Sequence, residues 1–283
     1  QSIALGGVQG WVDEQLKPEV VPDPAVDAAL TGFDLLDAGP PELRDRATAA
    51  RAHAQTEWAG FTRAFISERQ VNEAVVGVWR EHFAVSLTSR ETVLLDQTLR
   101  RYALSDHRDL LVAVAQSPGV LRVGRAGAVN GGAGSVSTSF ARLIVDHFGP
   151  GSLTVGEMRG VAEVLSGWGT DPAGDFVYDA ARHHAAPARI GGWMTPGRGG
   201  AAGFDVGVSL LCHLATMPVT ARRVAEALSD RLVGDAATSA VVDRCAGAHL
   251  AGRADVAAAV GSLLVSPGSG GSTARGRGTG GSQ

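Results

Sequence analysis

The segment at residues 70–83, QVNEAVVGVWREHF, sets the pattern that the rest of the chain follows. Its apolar residues recur every three or four positions, which is the spacing of one face of an α-helix. The residues on this face are Val71, Val75, Val78, Trp79 and His82. The segment therefore predicts a helix with one buried side.

Similar helical periods occur on both sides of this segment, whereas alternating patterns typical of strands are scarce. In the predicted helix at 41–68, Trp58, Phe61 and Phe65 fall on one face. Asp106 and the pair Thr154 and Glu157 are suited to cap the helices that follow them. The other predicted helices lie at 90–104, 106–116, 154–166, from 205 onward, from 218 onward, at 237–250 and at 255–264.

This pattern predicts an all-α (mainly α) fold, a multi-helix orthogonal bundle with one long irregular Gly/Pro-rich insertion at 168–203. The insertion has room for a short hairpin, and residues 175–183 are its one convincing extended segment. We expect residues 1–266 to form a single helical domain. Residues 267–283 are rich in Gly and Ser and are expected to form a disordered tail.

Composition excludes several classes of function. The chain of 283 residues has a net charge of −4, which argues against nucleic-acid binding because that needs a basic face. No run of about 18 apolar residues occurs, so no transmembrane segment is predicted. The two cysteines, Cys212 and Cys245, are expected to be free thiols in helices. The start does not resemble an export signal and lacks Met, so the localisation stays open.

A glycine-rich stretch at 124–149, GRAGAVNGGAGSVSTSFARLIVDHFG, raises the question of a phosphate site. A P-loop needs a Lys that this stretch lacks, and a dinucleotide fingerprint needs a preceding strand. We therefore interpret it as a connector into a helix that starts near Phe140, capped by Ser137, Thr138 or Ser139. Anion binding at that helix start is the less favoured alternative.

Six segments, in consistent order over residues 8–266, resemble the domain-of-unknown-function 1800 family. VWREHFAVS at 78–86 resembles its FW-x-x-HF signature, and LTVGEMRGVAEVLSGW at 153–168 resembles its Y-T-x-x-D-V-x-x-x-A-R-x-L-T-G-W block. The others are YALSDHRDLLVAVAQSPGVL (102–121), SFARLIVDHFGPG (139–151), FVYDAARHHAAPARIGG (176–192) and MPVTARRVAEAL (217–228). The resemblance implies a largely helical bacterial protein without an established activity.

The chain departs from the family at polar positions. Where family members carry Asn-Glu-Asn, this chain has Ser137, Thr138 and Ser139, and the helix that follows is one or two residues shorter. The family's His-Asp pair becomes His183 and His184. The resemblance therefore implies that a polar cluster of the family has been eroded here.

Four residues are candidate family-site positions: His82, Arg142, Asp146 and His183. His82 is read first as a core histidine and second as a metal ligand or proton carrier. Arg142, in an apolar helix, is expected to pair with Asp146 four residues on. His82 and His183 are weak metal candidates, with Asp146, His147 and His184 as further donors. Neither catalytic residues nor a cofactor can be assigned.

Three functions remain open from the sequence. The first is a non-catalytic scaffold or interaction protein with a degenerate family site. The second is a metal-assisted hydrolase with His82, Asp146 and His183 beneath the 168–203 loop. The third is a small-ligand pocket lined by Trp168 and Trp193. A serine nucleophile from Ser135–Ser139 is less favoured, since no G-x-S-x-G elbow is present. The protein or small-molecule partner is not identified.

Overall fold

The computed structural model of the chain describes residues 2–126 and 138–265. Within these ranges the fold is mainly α, as predicted, with thirteen α-helices and two small two-stranded sheets. The first seven helices are α1 (Ser2–Gln15), α2 (Pro24–Ala29), α3 (Arg46–Ile66), α4 (Gln70–His82), α5 (Ser89–Tyr102), α6 (His107–Ala115) and α7 (Pro118–Val123). The next six are α8 (Ser139–Arg142), α9 (Val155–Val164), α10 (Ala202–Ala215), α11 (Pro218–Leu232), α12 (Ser239–Ala251) and α13 (Val256–Leu264).

The helix ends follow the capping chemistry in the sequence. The Thr154 hydroxyl accepts a hydrogen bond from the Glu157 amide, and the Glu157 carboxylate accepts one from the Thr154 amide. This reciprocal arrangement satisfies two amides that a helix start otherwise leaves unpaired. Asp106 caps α6, and Gly167 takes the positive φ expected after α9. Helix α6 ends at Ala115, and Pro118 takes the first position of α7, where its missing amide proton costs nothing.

The insertion at 168–203 contains two hairpins, although the sequence predicted one extended segment. Strand β1 (Trp168–Thr170) pairs antiparallel with β2 (Phe176–Tyr178), and β3 (Ala188–Ile190) with β4 (Trp193–Thr195). Each strand has three residues, too few for an alternating pattern to stand out. The glycine-rich residues 127–137 and the tail 266–283, with the expectations made for them, lie outside the described residues.

A single large cluster of buried apolar residues extends from α4 to α13, and the rings of Trp79, His107 and His249 lie within it. The Trp79 indole Nε1 donates to the Ala103 carbonyl oxygen at 2.8 Å, and its ring stacks on His107 with centroids 5.5 Å apart. His107 in turn contacts the ring of His249 at 5.5 Å. Both histidines are fully buried. Neither ring nitrogen of His249 has a hydrogen-bond partner among the described residues.

Helices α4 and α5 are joined by a partly buried network of ion pairs. Arg80 donates to Asp96, whose side chain is only 8% exposed, at 2.6 and 2.9 Å. Arg100 bridges Asp96 and Glu73, with distances of 3.0 Å to Asp96 and 2.8 Å to the nearer Glu73 oxygen. Since each charge has a close partner, the network fixes the two helices relative to each other.

Helix α3 has a small inner face and a bulky outer face. It packs on α5 and on the turn at Glu42–Arg44. Its buried positions are all small: Ala49, Ala52, Thr56, Ala59 and Gly60. The three aromatic residues of this helix lie on the opposite side, in solvent. The predicted shared face is therefore present, but it does not belong to the core.

Two further sequence expectations concern membranes and cysteines. Of the described helices, none is by itself long and apolar enough to cross a membrane, and only α10 and α11 together, bent by 60°, meet the length and composition test. Cys212 and Cys245 are free thiols, as expected, and burial raises the pKa of Cys245 to about 11.

We expect the substitution Asp96→Ala to lower the free energy of unfolding by about 3 kcal/mol, because it leaves two partly buried arginines without their shared partner. Urea denaturation followed by circular dichroism would measure this. The matched control is Arg159→Ala, which removes an ion pair whose arginine side chain is 77% exposed and should change the stability by less than about 0.5 kcal/mol. Equal losses in the two variants would contradict the role of the network.

We expect the stability to fall as the pH is lowered from 7.5 to 5.5. Burial, and for His107 also the neighbouring His249, lowers the pKa values of both rings below 6.5 in the folded chain. The unfolded chain therefore binds protons more readily, so stability is full above about pH 6.5 and declines below it. In urea titrations, His107→Phe should flatten this slope. An unchanged slope in that variant would contradict the assignment.

Candidate functional site

His82, the last residue of α4, is partly buried beside rings of the core. Its ring contacts Trp79 with centroids 5.9 Å apart and Phe83 at 4.9 Å, and its Nε2 has no partner among the described residues. Burial lowers its pKa to about 4, helped by the positive charge of Arg223 and opposed by a backbone hydrogen bond with Phe148. His82 is therefore neutral near pH 7, which agrees with the core-histidine reading.

Arg223 of α11 is a residue that the sequence analysis did not single out. Its guanidinium donates to the carbonyl oxygens of Gly149 at 2.5 Å, Asp146 at 3.0 Å and His147 at 3.3 Å. These oxygens lie at the end of a π-helical segment, Leu143–Phe148, that continues α8. A cation suits this position because helix ends leave carbonyl oxygens unpaired. Only the three-dimensional structure brings α11 to this end, so no local sequence signal marks the contact.

The π-helical segment changes the expected geometry of Arg142 and Asp146. Its hydrogen bonds span five residues instead of four, so side chains four positions apart no longer lie directly above one another. Arg142 and Asp146 are both exposed, and within 2–126 and 138–265 no ion pair joins them. Arg142 therefore does not carry the buried charge that the sequence pattern indicated.

Arg142 and Asp146 instead border a surface cavity of about 540 Å³ between the π-helical segment and α9. Its apolar lining includes Leu153, Met158 and Ala162. On the α9 side, Arg159 and Glu163 line it and pair with each other at 2.9 Å. Neither His82 nor His183 lines this cavity, so two of the four candidate positions share it and two do not.

His183 lies in the insertion, where it holds the loop after β2 against α9 and α10. Its Nδ1 is 3.0 Å from the Ser166 carbonyl oxygen, so this nitrogen carries the proton. The ring contacts Tyr178, whose hydroxyl donates to the Gly200 carbonyl oxygen. Gly203 admits both side chains, because a Cβ there would come within 2.4 Å of the His183 ring. The contacts of His183 are those of a structural residue.

The two tryptophans of the insertion do not face one another across a pocket. Trp168 is fully buried and stacks on Phe204 with centroids 5.5 Å apart. Trp193 is half-buried and donates from Nε1 to the Ser209 hydroxyl at 3.1 Å. Both therefore pack the hairpins onto α10, and this geometry gives no support to a small-ligand pocket between them.

The metal-ligand candidates lie in separate environments. His82 is in the core near Phe148, Asp146 borders the surface cavity and His183 is in the insertion. In the described part of the chain, no three His, Cys, Asp or Glu side chains are grouped so that they could hold a metal ion. Of the serines considered as nucleophiles, Ser135 and Ser137 lie outside that part. Thr138 occupies the cap position of α8 without a side-chain capping bond.

The outer side of α3 is the second candidate surface. We call Trp58, Phe61 and Phe65 the α3 aromatic face. Trp58 is 67% exposed, Phe61 60% and Phe65 82%. The Trp58 and Phe61 rings meet edge to face with centroids 6.5 Å apart. Clustered exposed aromatic residues of this kind mark interaction surfaces more often than isolated ones do.

Comparison with known proteins agrees with the family resemblance. A family model described as "Protein of unknown function (DUF1800)" matches residues 1–122 and 149–276. Residues 123–148, between the two matched ranges, are not covered by the model, and they include Arg142, Asp146 and most of the segment at 139–151. No curated protein and no solved structure matches the chain. Because the family model covers most of its length, the chain belongs to the DUF1800 family of proteins of unknown function.

Proposed function

We propose that this chain is a non-catalytic interaction protein that docks a partner polypeptide on the α3 aromatic face. The observation that carries the proposal is the exposure of one tryptophan and two phenylalanines side by side on a single helix. Aromatic side chains bury about 150–250 Å² each and dominate the energetics of many interfaces. While this face is exposed to water, the free energy that burial of its aromatic side chains would contribute is not gained.

The inner side of α3 supports the view that the aromatic residues are exposed for a reason. Arg80 packs against Gly60 so closely that even a Cβ at that position would lie 2.9 Å from its guanidinium. The neighbouring positions Ala52, Thr56 and Ala59 are also buried. The small residues of α3 are therefore the ones that face the rest of the described chain, and its large side chains are left for a partner to cover.

A metal-assisted hydrolase is the second candidate function. The contacts of its three candidate metal ligands support it less well. His82 lies in the field of the Arg223 guanidinium, which disfavours a second cation nearby. His183 already uses Nδ1 on the Ser166 carbonyl oxygen, and Asp146 borders a cavity that neither histidine reaches. Under this proposal the three residues are remnants of the family site.

We expect photocrosslinking from position 65 to capture a polypeptide. Benzoylphenylalanine placed at Phe65, in cells that naturally produce the chain, should give an adduct of defined mass that disappears when Trp58→Glu is added. The control position is Val155, which is 90% exposed on α9 and outside the face. Equal labelling at positions 65 and 155, or an adduct that survives Trp58→Glu, would contradict the proposal.

We expect the purified chain to contain well under one equivalent of zinc, manganese or iron, and its unfolding midpoint in urea to be unaffected by a chelator. The reason is that the candidate donors do not converge. Elemental analysis checks the content, with His82→Gln and His183→Gln for comparison. Stoichiometric metal that is lost in both variants would favour the hydrolase instead.

A further inference from the structure

We infer that the partner of the α3 aromatic face is a second copy of this chain, docked antiparallel about a twofold axis through the middle of α3. The inference rests on the proposed function, because it names the occupant of the same surface. It is carried by the spacing and the size order of the exposed residues along α3.

The spacing is that of a helix-pairing seam. Ala54, Trp58, Phe61 and Phe65 follow one another at steps of four, three and four residues, and all four are exposed. Apolar residues at such steps form the contact line between two helices packed side by side. The seam lies opposite the buried positions Ala52, Thr56 and Ala59, so residues 2–126 and 138–265 leave it accessible.

The order of large and small side chains along the seam fits a second copy of the same seam that runs in the opposite direction. Trp58 and Phe61 lie equally far from the midpoint between Ala59 and Gly60, and so do Ala54 and Phe65. An antiparallel pair centred there places each Trp58 on the second copy's Phe61. Each Phe65 then meets the second copy's Ala54, a large residue against a small one. A parallel pair would instead stack Phe65 on Phe65 and leave Ala54 facing Ala54 across a gap.

The available area indicates a reversible dimer. With the exposures given above, the three aromatic side chains offer roughly 450 Å² per copy, or roughly 900 Å² for the pair. Stable interfaces usually bury more than about 1,200 Å² in total. We therefore expect monomer and dimer to exchange, with the dimer favoured at high protein concentration.

Sedimentation equilibrium of the full chain tests the inference. The apparent mass should rise with concentration from 29.0 kDa towards twice that value. Phe61→Glu should remain monomeric at every concentration, because it places a carboxylate against the second copy's Trp58. Val155→Glu, at a comparably exposed position outside the face, should dimerise like the parent chain. Circular dichroism checks that both variants are folded.

Cysteine crosslinking tests the orientation, in a background carrying Cys212→Ser. Ala54→Cys and Phe65→Cys chains should form a disulfide when mixed and not when either is oxidised alone. In the antiparallel pair, two copies of position 54 lie about 16 Å apart along the helix, too far for a bridge. Disulfides formed by each variant alone would overturn the antiparallel arrangement.

The outcomes separate this inference from the proposed function. A chain that stays monomeric, while position 65 crosslinks to a different protein, overturns the second copy as partner and leaves the interaction role standing. A dimer that Phe61→Glu does not weaken overturns the assignment of the dimer to this face. Monomer that sediments with anionic phospholipid vesicles, and loses this in Phe61→Glu, overturns the inference and assigns the face to a lipid surface.

Discussion

The Trp79 indole has one hydrogen-bond donor, and in the core it must find an acceptor without water. The Ala103 carbonyl oxygen just past the end of α5 provides it at 2.8 Å. This contact fixes the depth of α4 against α5, and the ring then stacks on His107 and Phe83. Arg80 follows Trp79 in α4 and pairs with Asp96 of α5, so the geometry of this ion pair depends on how Trp79 positions α4 against α5. Helix α11 also packs on α4, so its position depends on the contact between α4 and α5.

Small residues allow the chain to bring its helices close, and they also determine where the large ones can be. At Gly60, Gly203 and Gly207, side chains from other elements occupy the space that a Cβ would need. On α3 the positions that face the rest of the described chain carry small residues, and the aromatic rings lie outside. The α3 aromatic face is thus a consequence of how the inner face of α3 packs, and the proposed docking role gives that exposure a purpose.

The helices were predictable because their signals are local. Apolar spacing, the capping residue Asp106 and the capping pair Thr154 and Glu157 each act within a few residues, and the structure has them where the sequence indicates. The two hairpins were largely missed because three-residue strands are stabilised by packing on α10 instead of by a pattern of their own. The site was less predictable still. The Arg223 contact, the π-helical segment and the exposure of the aromatic face all depend on elements far apart in sequence, and periodicity does not distinguish an outer face from an inner one.

The backbone bridge between the start of α6 and the turn before α13 has a consequence for how the chain folds during its synthesis. The His107 amide donates to the Ala254 carbonyl oxygen at 2.8 Å, and the Val256 amide donates to the Ser105 carbonyl oxygen at 3.2 Å. Closing so long a loop is entropically costly and cannot begin before both ends exist. During synthesis on the ribosome, the contact between the rings of His107 and His249 therefore forms only after α12 has emerged.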